Sequence, residues 1–153
     1  MSEPMPSVDH HFLCSYDPCD CENQNQGVRV LICGSRTFAE GEPIRMLLAG
    51  LERSATVIHG AAKGADSLAD QFARLGGFTV EKYPARWTVD GKAAGPIRNQ
   101  RMLDEGKPDV VWAFVDRPLV ESKGTADMVR RAKKAGIPVF VTHYLAPDQE
   151  ARP

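Results

Sequence analysis

From residue 28 onward the chain alternates short apolar runs with stretches of helical period, and this rhythm leaves few folds open. The runs at 28–33, 56–59, 78–83, 110–115 and 137–142 are apolar and partly β-branched, the pattern of strands buried on both faces. Between them the spacing predicts helices over 43–53, 65–75, 96–105 and 125–135. Pro43 suits a first helical turn. Ala65, Leu68, Ala69, Phe72 and Leu75 share one stripe, and Gly76-Gly77 and Gly136 stop the helices before them. Strands joined by helical crossovers predict an α/β fold. The expected architecture is a Rossmann-like three-layer sandwich with a mainly parallel five-stranded sheet and helices on both faces.

The rhythm defines residues 28–145 as one expected domain of this fold. Residues 1–27 read as a flexible or loosely docked arm and 146–153 as a C-terminal tail. No apolar run reaches the roughly 18–20 residues of a membrane span and no signal peptide is visible, so a cytoplasmic protein without a membrane partner is expected. The arm holds five acids (Glu3, Asp9, Asp17, Asp20, Glu22) and no Lys or Arg, which leaves the other residues with 19 basic against 15 acidic groups. That excess suits a small anionic ligand and is too slight for a reader of duplex nucleic acid. Cys33 falls inside the first strand as a buried apolar residue. His10, His11, Cys14, Cys19 and Cys21 are candidate Zn2+ ligands. Their C-x4-C-x-C spacing lacks the paired knuckles of structural zinc sites, so a loose tail is the simpler reading.

In open α/β sheets ligands bind beyond the carboxyl ends of the strands, and there the sequence changes character. The first strand breaks into Gly34, Ser35, Arg36, Thr37 and Phe38, a phosphate or ribose corner. The second runs into His59-Gly60-Ala61-Ala62-Lys63-Gly64-Ala65-Asp66, small residues that let backbone amides approach an anion at a helix start. Gly60 and Gly64 serve equally as a tight turn. Asp66 or Ser67 is expected to cap the helix, with ribose or metal contact the alternative for Asp66. Neither the G-x4-G-K-[ST] phosphate loop nor the G-x-G-x-x-G dinucleotide fingerprint is present. NTPase and dehydrogenase readings lose ground accordingly.

In the helix over 96–105, Arg98 shares a face with Met102 and Asn99 with Leu103. Both polar residues thus fall in the first turn near the sheet, where Arg98 suits a phosphate; an ion pair with Glu105 or a loop carboxylate is the alternative. The preceding loop, 84–95, is long for a βα connection. Its Trp87 is read either as a platform for a planar base or as a plug at the core edge. After the fourth strand, Ser122-Lys123-Gly124-Thr125 opens a helix, with Thr125 placed to cap it or to reach a phosphate. The cations at 130–134 complement a helix C-terminus and read as a solvated face.

In order, G-S-R-T-F (34–38), H-G-x-A-x-G-A-D (59–66), A-G-x-x-R-N-x-x-M (94–102) and G-T-x-x-M (124–128) resemble the SLOG superfamily, nearest its YspA/YpsA-like branch. The resemblance covers about residues 28–142. It implies a Rossmann-like domain that binds nucleotides or nucleotide-derived ligands, often as a dimer or higher homo-oligomer. Distant relatives include the Lonely Guy phosphoribohydrolases, which cleave nucleoside 5′-monophosphates between base and ribose, and DprA, which uses a similar domain on single-stranded DNA. Lonely Guy enzymes carry a catalytic Glu three residues after their Gly-Thr. Here Met128 stands at that position, and Asp127 is one residue, or roughly 100°, away.

The expectation is therefore a binder of a nucleotide or ADP-ribose-like ligand, acting as sensor, carrier or sequestering protein. Gly34, Ser35, Arg36, Thr37, Gly60, Lys63, Gly64, Asp66, Trp87, Arg98, Asn99, Gly124 and Thr125 are the candidate contacts. The alternative is N-glycosidic hydrolysis of nucleoside monophosphates, with Asp66, Asp116 or Arg98 as candidate catalytic groups. Mg2+ is the cofactor a phosphorylated ligand would bring with it.

Overall fold

The structure is a computed structural model that describes residues 27–144. The His10, His11, Cys14, Cys19 and Cys21 cluster lies outside the described residues. Five strands, β1 (Arg29–Gly34), β2 (Thr56–His59), β3 (Thr79–Lys82), β4 (Val110–Val115) and β5 (Val139–His143), form one sheet in the order β3-β2-β1-β4-β5. All four pairings are parallel. The helices are α1 (Gly41–Ala49), α2 (Ala65–Leu75), α3 (Trp87–Asp90), α4 (Ala94–Asp104) and α5 (Lys123–Lys134). The Rossmann-like α/β sandwich is thus what the sequence folds into.

Side chains alternate across a strand, and β1 shows what that does here. Val30 and Ile32 enter one core layer with Ile44 and Leu48 of α1 and Ala65, Ala69 and Ala73 of α2. Leu31 and Cys33 enter the opposite layer with Met102 and Leu103 of α4 and Met128, Val129 and Ala132 of α5. A strand buried on both sides has no room for a polar residue until it ends. Leu31, Ile32 and Ile58 are fully buried.

Helix limits differ modestly from the pattern. Helix α1 stops at Ala49, not at 53, because the Gly50 amide closes onto the Met46 and Leu47 carbonyls. Helix α5 starts at Lys123, two residues earlier than expected. The connection 84–95 is not a bare loop: it winds into α3, then a 3-10 turn over Gly91–Ala93, and continues into α4.

From β1 the chain crosses to β2 on one side, whereas β4 lies on the other. The connections leaving β1 and β4 therefore diverge at their carboxyl ends, which opens a crevice between them.

Candidate functional site

The crevice begins with a turn built by β1. The Ser35 amide donates to the Phe114 carbonyl at 3.0 Å, and the Ser35 carbonyl accepts the Phe38 amide at 3.1 Å. Phe38 is buried and packs on Phe114, 5.8 Å between ring centroids. With Phe38 anchored, Arg36 and Thr37 stand exposed at the tip. The Ser35 side chain points inward and is 2% exposed, and its Oγ has no hydrogen-bond partner. Asp116 lies near enough for that hydroxyl to help lower its carboxyl, but no bond of normal geometry joins the two. An orphaned buried hydroxyl costs about 1–3 kcal/mol unless something supplies a partner.

A cavity of about 400 Å³ opens beside Ser35, within the roughly 300–1,000 Å³ range of small-molecule sites. Its walls include Gly34, Arg36, Thr37, Asp66 and Arg98 on one side and Arg117, Ser122, Lys123, Gly124 and Thr125 on the other. Helix α5 enters it by its N-terminus. Its first ladder bond runs from the Ala126 amide to the Ser122 carbonyl, so the amides of Lys123, Gly124 and Thr125 precede the ladder. A Cβ on Gly124 would meet nothing within 4 Å. Thr125 does not cap the helix; Ser122 Oγ donates to its hydroxyl at 2.9 Å.

The loop after β2 forms the next wall. Asp66 does not cap α2 either. Its Oδ2 accepts the Gly60 amide at 2.8 Å and the Ala62 amide at 3.4 Å, which folds the loop back over the helix start. Gly64 takes the N-cap position with φ +80°, and a Cβ there would collide with the Ser35 carbonyl. Burial raises the Asp66 carboxyl, opposed by Arg98 and His59. His59 is buried at the end of β2. Its Nδ1 accepts the Ala61 amide at 3.0 Å, which leaves Nε2–H to meet Asp70 at 3.1 Å. Burial accordingly lowers the imidazole, whose neutral tautomer fits both bonds.

Arg98, from the first turn of α4, lies across this loop and donates from Nη1 to the Gly60 carbonyl. Nε donates to Asn99 Oδ1 at 3.1 Å. The alternative reading for Arg98, an ion pair with Glu105, does not hold: Arg101 makes that pair, at 3.3 Å. Burial lowers the Arg98 guanidinium, partly offset by Asp66. Asn99 is buried and faces the neighbouring loop: Nδ2 donates to the Gly124 carbonyl at 3.1 Å and to Asp127 Oδ2 at 3.0 Å. It positions the α5 terminus and does not line the cavity.

A second hollow of about 390 Å³ adjoins the first. Arg36, Ala62 and Arg98 line both. Gly60, Lys63, Pro84, Ala85 and Trp87 belong to the second alone. Trp87 is 51% exposed, so it is not a core plug. The Arg36 guanidinium lies over its ring, 5.8 Å from the centroid.

The remaining candidates sit elsewhere. Asp116 stands beside the turn rather than among the cavity walls and accepts Thr37 Oγ1 at 2.6 Å and Arg117 Nε at 3.1 Å. Burial works to raise its carboxyl, but these bonds outweigh it and hold the group below its ordinary value. Met128 is buried in the α4–α5 core layer. Asp127 faces Asn99, Arg130 and Arg131, outside both hollows. Arg117 and Glu121 line the cavity and carry no signal in the sequence beyond following a strand. Among the described residues no group of three His, Cys, Asp or Glu side chains is placed to hold a metal ion, and no helix is long and apolar enough to cross a membrane.

A Rossmann-like sheet with a cavity at its switch point defines the class of protein. The chain belongs to the YspA, cpYpsA-related SLOG family, whose sequence model matches residues 28–89. It is 45% identical over 121 residues to the Gene 61 protein of Mycobacterium phage D29, an alignment that takes in 73% of this chain and 94% of the phage protein. Its fold is similar to that of DNA processing protein A (DprA) from Streptococcus pneumoniae, with a TM-score of 0.66 at 18% identity over 82% of this chain. The chain spans about half of that structure, 54% of its length.

Proposed function

We propose that the protein binds a nucleotide or nucleotide-derived, ADP-ribose-like ligand in the first cavity, as a sensor, carrier or sequestering protein. The observation that carries this reading is the unpartnered Ser35 hydroxyl, buried beside the open N-terminus of α5. A phosphate there accepts bonds from the hydroxyl and from the α5 amides at once. Arg98, Arg36 and Lys123 supply charge on the same walls. Gly60 and Gly64 have structural reasons to be glycine, so they add little. Gly124 has none and faces open space.

The test is calorimetry of ligand-free protein against a panel of nucleotides and ADP-ribose, with and without Mg2+. Binding in the micromolar range or tighter is expected, and Ser35→Ala weakens it by about 5- to 100-fold while leaving the free protein as stable or more so. Absence of binding to every member of the panel overturns the reading.

Glycosidic hydrolysis is the second reading, favoured by Asp66. Its carboxyl lines the cavity and is raised by burial, as a proton donor requires. Against it, Oδ2 is already committed to two loop amides. Release of free base from nucleoside monophosphates, lost in Asp66→Asn, is its expected signature.

A further inference from the structure

The two hollows share a wall and differ in the side chains that complete them. The first is ringed by hydroxyls, cations and the α5 terminus, with the carboxylates of Asp66 and Glu121 also in its wall. The second is walled by Pro84, Ala85 and the indole of Trp87, with Lys63 the one charged side chain not shared with the first. Between them stand Arg36 and Arg98. A ligand reaching from one to the other passes its anionic part by these two guanidinium groups and carries a flat, weakly polar group at its far end. Trp87 is half exposed in a chain whose other tryptophan, Trp112, is stacked on Phe140 at 4.7 Å. The guanidinium over its ring is that of Arg36, a residue that also belongs to the anion side.

We infer that the second hollow is the base subsite: the ligand is a nucleoside phosphate whose planar base stacks on Trp87 while its phosphates run past Arg36 and Arg98 into the first cavity. This rests on the first cavity being the phosphate site. The base takes the place of the Arg36 guanidinium on the indole, and Arg36 turns to the phosphates. Stacking and charge neutralisation are thereby coupled through one side chain. Stacking of this kind tolerates any base, because every base has a π face. Discrimination between bases then falls to Lys63, which lines the same hollow, because the Ala61 and Ala62 amides are already committed to His59 and Asp66.

Titration of the full chain with inorganic pyrophosphate and with ADP, GDP, CDP and UDP tests this, in the unsubstituted protein, Trp87→Ala and Trp87→Phe. At least one nucleoside diphosphate should bind tenfold or more tighter than pyrophosphate. Trp87→Ala should erase that margin without weakening pyrophosphate binding, whereas Trp87→Phe should retain most of it. Nucleotide should change the indole fluorescence, and Trp87→Phe should lose the response. Pyrophosphate binding with no added affinity from any nucleoside, or a margin that survives Trp87→Ala, overturns the base subsite and leaves the phosphate site standing. If neither pyrophosphate nor any nucleotide binds, the phosphate site itself falls.

Discussion

The Arg98 guanidinium fills the space that a side chain at position 60 would need, and it donates to the Gly60 carbonyl from there. Gly60 is therefore a glycine because of a residue 38 positions away, and Arg98 is aimed because position 60 is empty. Gly60→Ala should dislodge the arginine from both hollows. The clash is with the far end of a flexible side chain that can swing aside, so a small drop in melting temperature is expected together with weakened nucleotide binding. Unchanged calorimetry in a folded Gly60→Ala protein would separate Arg98 from the ligand.

Gly124 predicts the opposite pairing of effects. A methyl group there meets no atom of the protein, and alanine favours a helix over glycine by roughly 0.5–1 kcal/mol. Gly124→Ala should therefore hold or raise the melting temperature. A phosphate approaching the α5 amides meets the methyl first, and affinity should fall tenfold or more. Equal affinity in the two proteins would mean that no ligand comes close to this turn.

These two glycines also mark how far the sequence could be read. Both stand in short polar segments between a strand and a helix, and the rhythm of apolar runs placed both at the sheet's carboxyl edge. Which of them has a structural reason to be glycine was not legible, because it depends on contacts made by α4 with a loop far away in sequence. The same holds for Asp66. Its type and position suggest a helix cap, yet its oxygen goes to the Gly60 and Ala62 amides, since the loop folds back over it. Asn99 read as a polar residue near the sheet. Only the packing of α4 on α5 makes it a brace for Gly124. Arg117 had no periodicity to reveal it, and Trp87 was equally balanced between core and surface until α3 displayed it.

Stability should fall on mild acidification because of His59. Burial holds its folded pKa below the value near 6.5 expected of the unfolded chain. The unfolded chain then binds more protons as pH drops past that value, and acid favours unfolding; above it the full stability is present. The raised Asp66 carboxyl has the opposite slope, while Asp70 and Asp116, both lowered, add losses only at still lower pH. Melting temperatures of the protein and of His59→Gln, taken from pH 7.5 to 5, separate these contributions. The substituted protein should be less stable at pH 7.5, having lost bonds to Ala61 and Asp70, but should decline less steeply. Parallel curves would remove His59 as the source.

Asp116 should act as a brake on anion binding. Arg117 Nη2 donates to Thr37 Oγ1 at 2.7 Å and Nε to Asp116 at 3.1 Å, so the one cavity cation contributed by the loop after β4 before α5 is tied at the rim. The carboxylate also presents its own negative charge there, and its lowered pKa keeps it ionised throughout the neutral range. Asp116→Asn removes that charge and loosens the hold on Arg117. The pair is partly exposed, with side chains 25% and 41% accessible, so the release is modest, on the order of 1 kcal/mol or less. Affinity for pyrophosphate should rise about two- to fivefold at low salt. The gain should fade toward 1 M salt, where the screening length shrinks to about 3 Å. Weaker binding by Asp116→Asn at every salt concentration would instead make the carboxylate a ligand contact, receiving a ribose hydroxyl or a phosphate-bound Mg2+.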